Sequence, residues 1–249
     1  MNILDTIKQS SQGGIRQLAI LADPDKCDPE GLKERALLAE ESGVDYFFVG
    51  GSLLTRYNMA SCIQNIRNHC KLPVVLFPGS IMQVEPTADA ILLLSLISGR
   101  NPEMLIGNHV LAAPLLRQSK LEIIPTAYML IESGHCTSAL YMSNTIPIPG
   151  DKTDIASCTA MAGEMLGLQL VFMDAGSGAD RPISPEMIRA VRQSIGCPLI
   201  AGGGIRSAAG ALDMWKAGAD MVVVGNAAET RPELIREIDQ ARRAMNKEG

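Results

Sequence analysis

The run LVFMDAGSGADRPISPEMIRAVRQSIGCPLIAGGGIRSAAGALDMWKAGADMVVVGN, residues 170–226, decides how this chain folds. Three short aliphatic stretches, 170–173, 198–201 and 221–224, run into or just ahead of glycine-rich turns, with helical patterns between them. Stretches that are apolar on nearly every residue read as parallel strands covered on both faces. The same unit recurs upstream at 17–22, 46–49, 74–77, 90–94 and 122–126. Helices are expected at 29–42, 58–69, 103–118, 155–166, 185–194, 207–216 and 231–245. Pro29 and Pro185 follow Asp28 and Ser184, a favourable opening for a helix, and Gly43, Gly167 and Gly218 fall where helices end. Eight strands alternating with helices predict an α/β fold closed as a (βα)8 TIM barrel. The 249 residues suit one such domain spanning 1–249, since barrels commonly take about 200–250 residues and no linker divides the chain.

Bulk composition narrows the function. Hydrophobic residues make up 47% and charged residues 20%, enough for a well-buried core. A formal charge of −5 with no run of Lys or Arg argues against a nucleic-acid partner. Six scattered cysteines (27, 62, 70, 136, 158 and 197) form no CxxC pair, which suits reduced, mostly buried thiols. The start MNILDTIKQSSQ lacks the basic and apolar regions of a signal peptide. The longest apolar run, 90–98, is about half a membrane span. A cytoplasmic protein is expected, with transient contact at a membrane surface still compatible.

Two stretches depart from the regular alternation. PGSIMQVEPTAD at 78–89 is too short and too broken by proline for a good helix. Residues 127–154 form a long connection after the fifth strand, on the face where barrels carry their chemistry, and so a candidate lid.

The strongest chemical signal is the set of three turns: DAGSG at 174–178, GGG at 202–204 and Gly225–Asn226. Glycine lets the backbone approach a ligand closely and leaves peptide N–H groups free to point at an anion. Helix starts after the turns are expected to add positive dipole ends. The loops after strands seven and eight of a barrel are a recurrent phosphate site. A phosphorylated ligand is the reading these turns favour together. At the end of the first strand, Asp23 and Asp25 in DPDK can hold Mg²⁺, which prefers oxygen ligands. Gly50-Gly51-Ser52 places a hydroxyl at the neighbouring rim position. Asp174, a carboxylate beside a phosphate cradle, suits proton removal from a substrate hydroxyl, although a helix cap is the plainer role. His69, His109 and His135 have no ligand spacing. Trp215 reads as helix packing, and Met129, Met142 and Met161 as core filling.

Taken in order, LADPDK (21–26), VGGS (49–52), SLISGRNPEMLIGNHV (95–110), PTAYMLIESG (125–134), YMSNTIPIP (141–149), FMDAGSGA (172–179), AGGGI (201–205) and VVGN (223–226) resemble the geranylgeranylglyceryl phosphate synthase family. The likeness reaches nearly end to end and is greatest to the branch shared by archaea and some bacteria. It implies that the 3-hydroxyl of sn-glycerol 1-phosphate attacks C1 of a polyprenyl diphosphate, forming an ether and releasing diphosphate. It also implies a modified barrel without the third helix, which suits the 78–89 segment. By that resemblance Mg²⁺ is held by Asp23 and Ser52. Glycerol phosphate meets Phe172, Met173, Asp174, Ala175, Gly176, Ser177 and Gly178, then Gly203 and Gly204, then Gly225 and Asn226. Asp174 is the implied catalytic base, Leu96, Leu105 and Tyr128 are expected along the prenyl groove, and a homo-oligomer (dimer or hexamer) is implied.

Phe172-Met173-Asp174 departs from the family's usual Tyr-Leu-Glu. Losing the phenol removes one hydrogen bond to the acceptor, about 0.5–1.5 kcal/mol, and Asp174 is one methylene shorter than Glu. Two alternatives remain at this point: another phosphate-binding barrel enzyme of the thiamine phosphate synthase type, and a non-catalytic sensor of a phosphorylated ligand. The first leaves 95–110 and 141–149 unexplained, and carboxylates at both 23 and 174 weigh against the second.

Overall fold

In the computed structural model, which describes residues 2–26, 28–56 and 58–248, eight parallel strands close into one barrel in sequence order, β8 pairing back onto β1. The strands are β1 (Gln17–Ala22), β2 (Tyr46–Val49), β3 (Val74–Leu76), β4 (Ala90–Leu96), β5 (Glu122–Leu130), β6 (Leu170–Asp174), β7 (Leu199–Gly202) and β8 (Met221–Val224). The helices are α1 (Ile3–Gln12), α2 (Pro29–Ser42), α3 (Met59–His69), α4 (Asn108–Ser119), α5 (Ser138–Ser143), α6 (Thr153–Met165), α7 (Pro185–Ser194), α8 (Ala208–Ala217), α9 (Asn226–Thr230) and α10 (Leu234–Glu248).

Side chains alternate along each strand and so separate into two cores. Those pointing inward, among them Ala19, Phe48, Val75, Leu92, Ile124, Tyr128, Phe172, Ile200 and Val223, fill the barrel. Those pointing outward, such as Leu18, Phe47, Val74, Met173 and Val222, pack against the helices. Trp215 belongs to this outer layer, fully buried, with its indole donating to the Gln17 carbonyl.

The N-terminal helix α1 is absent from the sequence-based expectation. It places Ile7 in the barrel interior cluster, while the amides of Ile3 and Leu4 donate to the Glu122 carboxylate at 2.6 and 2.8 Å. The first four residues of the expected 127–154 loop continue β5 as far as Leu130, and the remainder carries α5 and a bridge between Ile131 and Ile148. Residues 103–118 divide into a wide π-type turn, Glu103–Gly107, and then α4. Of the cysteines, Cys62 and Cys70 are buried, Cys197 is intermediate, and Cys136 and Cys158 are exposed, so fewer are buried than expected. Cys27 lies outside the described residues.

Between β3 and β4 no helix forms. A single 3-10 turn, Ile81–Gln83, stands in its place. Its anchor is Gln83, only 3% exposed. The amide oxygen accepts from the Gly51 and Gly79 N–H groups at 3.3 and 3.1 Å, and the amide nitrogen donates to the Gly51 carbonyl at 2.7 Å. Gly50 must be glycine, because a Cβ there would lie 2.0 Å from the Phe77 carbonyl oxygen. One buried amide therefore fastens the helix-less segment to the turn after β2 that presents Ser52. Replacing Gln83 with Ala leaves three backbone groups without their partner. We expect a loss of about 1–3 kcal/mol in urea unfolding; a midpoint equal to the wild type would contradict this anchoring role.

Candidate active site

The C-terminal ends of the strands open into one cavity of about 760 Å³. It is lined on one side by Asp174, Gly176, Ser177, Gly178, Gly203, Gly204, Gly225 and Asn226, and on the other by Asp23, Lys26, Gly51 and Ser52. Residues picked from three separate turns of the sequence are thus brought together, because parallel closure puts every strand end on the same rim. Met173 and Ala175 do not line the cavity. The alternation of β6 turns Phe172 and Asp174 inward and sends Met173 into the outer core, which Ala175 joins; the Ala175 N–H is taken by the Gly202 carbonyl.

Four glycines on the first side, Gly176, Gly178, Gly203 and Gly204, have φ between +70 and +89°, where a Cβ is strained. At Gly203 a Cβ would also lie 2.8 Å from Asp174 Oδ1 and from the Ala175 and Gly176 nitrogens. The peptide N–H groups of Ser177, Gly178, Gly203, Gly204 and Gly225 have no hydrogen-bond partner among the described residues. Several unbonded amides facing a cavity are the chemistry of an anion cradle. Helix dipoles contribute less than the sequence suggests. A loop of ten residues separates β6 from α7, and α9 is only five residues long.

Asp174 lies at the floor of this side, 7% exposed. Oδ2 accepts from the Tyr128 hydroxyl at 2.6 Å and Oδ1 from the Gly176 N–H at 2.7 Å. Burial raises the carboxyl above 3.8, while the two hydrogen bonds hold it back. The Tyr128 phenol is pushed well above 10 by burial, with the Asp174 charge adding to the shift. Tyr128, expected along the prenyl groove, thus also donates to Asp174, a contact between strands that the sequence does not disclose. Phe172, directly opposite Tyr128 in the β5–β6 register, stacks on Phe77 with centroids 4.9 Å apart and receives the Tyr128 ring edge-on at 5.7 Å. The phenol absent from position 172 thus has a counterpart on the adjacent strand.

On the other side, Asp23 Oδ2 pairs with the Lys26 ammonium at 3.0 Å and Oδ1 accepts from the Asp25 N–H at 3.1 Å. A Cβ on Gly51 would touch Asp23 Oδ1 at 3.2 Å, so this carboxylate lies against the turn that carries Ser52. Asp25 is engaged elsewhere. Its oxygens accept from the Thr55 amide and hydroxyl and from the Arg56 amide, and the Thr55 amide bond leads in holding its carboxyl below the usual value. Of the two carboxylates expected to pair at this rim, Asp25 is thereby committed to Thr55 and the Arg56 backbone. No group of three or more His, Cys, Asp or Glu suited to a metal occurs among the described residues.

The cavity continues outside the barrel. Ile81, Val84, Ile91, Leu93, Ala112 and Leu116 line it where the third helix of a regular barrel would cover β4. Omitting that helix leaves an apolar groove between the Ile81–Gln83 turn and α4. Leu96 and Tyr128 line this cavity, whereas Leu105 lines a separate depression with Ile97, Gly99 and Ile155. His109 also faces the groove, 3.2 Å from Ser95 Oγ, and burial lowers its pKa below 6.5, which favours a neutral wall.

A model of the PcrB family matches residues 15–244. A protein of Spirosoma linguale named geranylgeranylglyceryl phosphate synthase is 51% identical over 99% of this chain and 98% of its own length. One of the same name from Chitinophaga pinensis is 54% identical, covering 92% and 90% of the two chains. Among solved structures, (S)-3-O-geranylgeranylglyceryl phosphate synthase from Thermoplasma acidophilum, in complex with its substrate sn-glycerol-1-phosphate, superposes with a TM-score of 0.91. It is 32% identical and covers 98% of this chain and 99% of that one.

The Asp174 environment makes a prediction independent of any ligand. Carbon NMR should find its carboxyl titrating above 3.8. Tyr128→Phe removes a donor to the charged form and should move that midpoint higher still. An unchanged or lower midpoint in the variant would contradict the assigned hydrogen bond.

Proposed function

The chain belongs to the PcrB family, alongside the geranylgeranylglyceryl phosphate synthases it matches end to end, and we propose that it is a prenyltransferase of that kind. The reaction joins the 3-hydroxyl of sn-glycerol 1-phosphate to C1 of a polyprenyl diphosphate, in ether-lipid synthesis. The observation that carries this reading is the buried Asp174 carboxylate beside a cradle of unbonded glycine-turn amides.

In this scheme the acceptor phosphate takes the amides of Ser177, Gly178, Gly203, Gly204 and Gly225, with the Asn226 side chain at the edge. Its hydroxyl then faces Asp174. As the hydroxyl oxygen bonds to C1, its proton passes to the Asp174 carboxylate, the C1–O bond breaks, and the electron pair leaves with diphosphate. A carboxyl raised by burial is a better base than an exposed one near neutral pH. Tyr128 and Gly176 fix the carboxylate in position, and that support offsets the shorter reach of Asp relative to Glu. Phe172 contributes apolar packing beneath the acceptor rather than a hydrogen bond.

Asp23 and Ser52 are the residues that would hold Mg²⁺. Their donors are both oxygen, as that ion prefers, and a site with few protein ligands leaves positions for diphosphate oxygens. Bound there, the ion would stabilise charge developing on the leaving group. The groove along β4, walled by Ile81, Val84, Ile91, Leu93, Ala112 and Leu116, suits the prenyl tail.

Purified protein with Mg²⁺, geranylgeranyl diphosphate and sn-glycerol 1-phosphate should release diphosphate and form the ether, with the 3-phosphate enantiomer used poorly. Absence of product would reject the assignment. Asp174→Asn should slow turnover by about 10²–10⁴-fold with the fold intact; a near-normal rate would show that Asp174 is not the base. Asp23→Asn should stop turnover and leave acceptor binding in place, whereas loss of both would point to a structural role.

A further inference from the structure

Lys26 stands where the two halves of the cavity meet. It closes the turn after β1, and its half-exposed ammonium lies 3.0 Å from Asp23 Oδ2 and 3.5 Å from Asn226 Oδ1. Asn226 Oδ1 also accepts from the Ser177 hydroxyl at 3.3 Å. One line of polar contacts therefore joins the turn after β6, the turn after β8 and the carboxylate at the end of β1.

The neighbouring arginines have partners of their own. Arg35, 4% exposed, donates to the Gly31 carbonyl and faces Glu229 at 3.8 Å. Glu229 in turn accepts from the Asp23 N–H at 3.5 Å, which braces the Asp23 backbone from below. Arg206 donates to the Ala179 carbonyl, and Arg231 pairs with Glu237 at 3.1 Å. Lys26 has a flexible stem and a partner on each side of the cavity.

We propose that Lys26 is a positioning residue that couples the two substrate sites. Its ammonium pairs with Asp23 while that carboxylate is free. It turns to the acceptor phosphate at the Asn226–Ser177 edge once a divalent cation engages Asp23. The inference rests on the placement of the acceptor and metal given above. Its physical basis is that two cations at one carboxylate repel each other, and that a lysine carries three donors on a rotatable stem. A dianionic phosphate a short swing away gives the displaced ammonium a new partner. By linkage, divalent cation and acceptor must then tighten each other's binding by the same factor.

Calorimetric titration of sn-glycerol 1-phosphate, with and without magnesium and with no prenyl donor, reads this coupling directly. In the wild type, magnesium should tighten acceptor binding by roughly tenfold, within the usual range for coupled sites. Lys26→Gln should bind the acceptor weakly and ignore magnesium, and Lys26→Arg should recover part of the response. Asp23→Asn should bind the acceptor tightly without magnesium, because the ammonium is already released. A wild-type affinity insensitive to magnesium, or a full response surviving in Lys26→Gln, overturns the lysine inference while the ether-forming reading stands. No acceptor binding by the wild type in either condition overturns both.

Discussion

A carboxylate taken out of water must be hydrogen-bonded, or it gives up its charge. Asp174 meets that constraint through the Tyr128 hydroxyl and the Gly176 N–H, and much of the upper barrel is arranged around those two bonds. Tyr128 reaches Asp174 because β5 runs nine residues, far enough to pair Leu130 with Asp174. Gly176 offers its N–H because the chain enters the left-handed region there, and Gly203 must lack a side chain to let the next turn close over the carboxylate. The glycines that shape an anion cradle and those that permit a buried base are largely the same residues.

The second constraint is an omission. A regular barrel would cover the outer face of β4 with a helix packed against Ile91 and Leu93. Here the Ile81–Gln83 turn, fastened by Gln83 to Gly51, leaves that face open to an apolar groove continuous with the polar mouth. The same amide that keeps the segment from collapsing also steadies the turn bearing Ser52. Groove and rim are therefore set by one local arrangement, and a long apolar molecule with a charged head fits both.

All eight strands were legible because strands buried on both faces read as continuous apolar runs, and the glycine turns because three of them recur at strand ends. The 78–89 segment announced itself through its proline and short length. Other features depended on information that a linear reading lacks. Tyr128 looked apolar because its partner is fixed by inter-strand register. Leu105 was misplaced because the wide turn at Glu103–Gly107 breaks the helical period assumed for 103–118. Met173 and Ala175 sit within the motif yet face the outer core, as the period of two requires once Asp174 is fixed inward. Asp25 reads as a metal ligand in DPDK, but Thr55 and Arg56, distant in sequence, take its oxygens. The helix α1 did leave a signal, an Asn2 cap with apolar residues at 3, 4 and 7, although it is short and polar elsewhere.

The central claim is that the glycine turns after β6, β7 and β8 together hold the acceptor phosphate. Hydrogen exchange of the backbone amides, measured with and without sn-glycerol 1-phosphate, tests it at the atoms concerned. The account predicts slowed exchange at Ser177, Gly178, Gly203, Gly204 and Gly225, none of which is protected by a protein hydrogen bond among the described residues. Protection confined to other parts of the chain, or none at saturating acceptor, would contradict it.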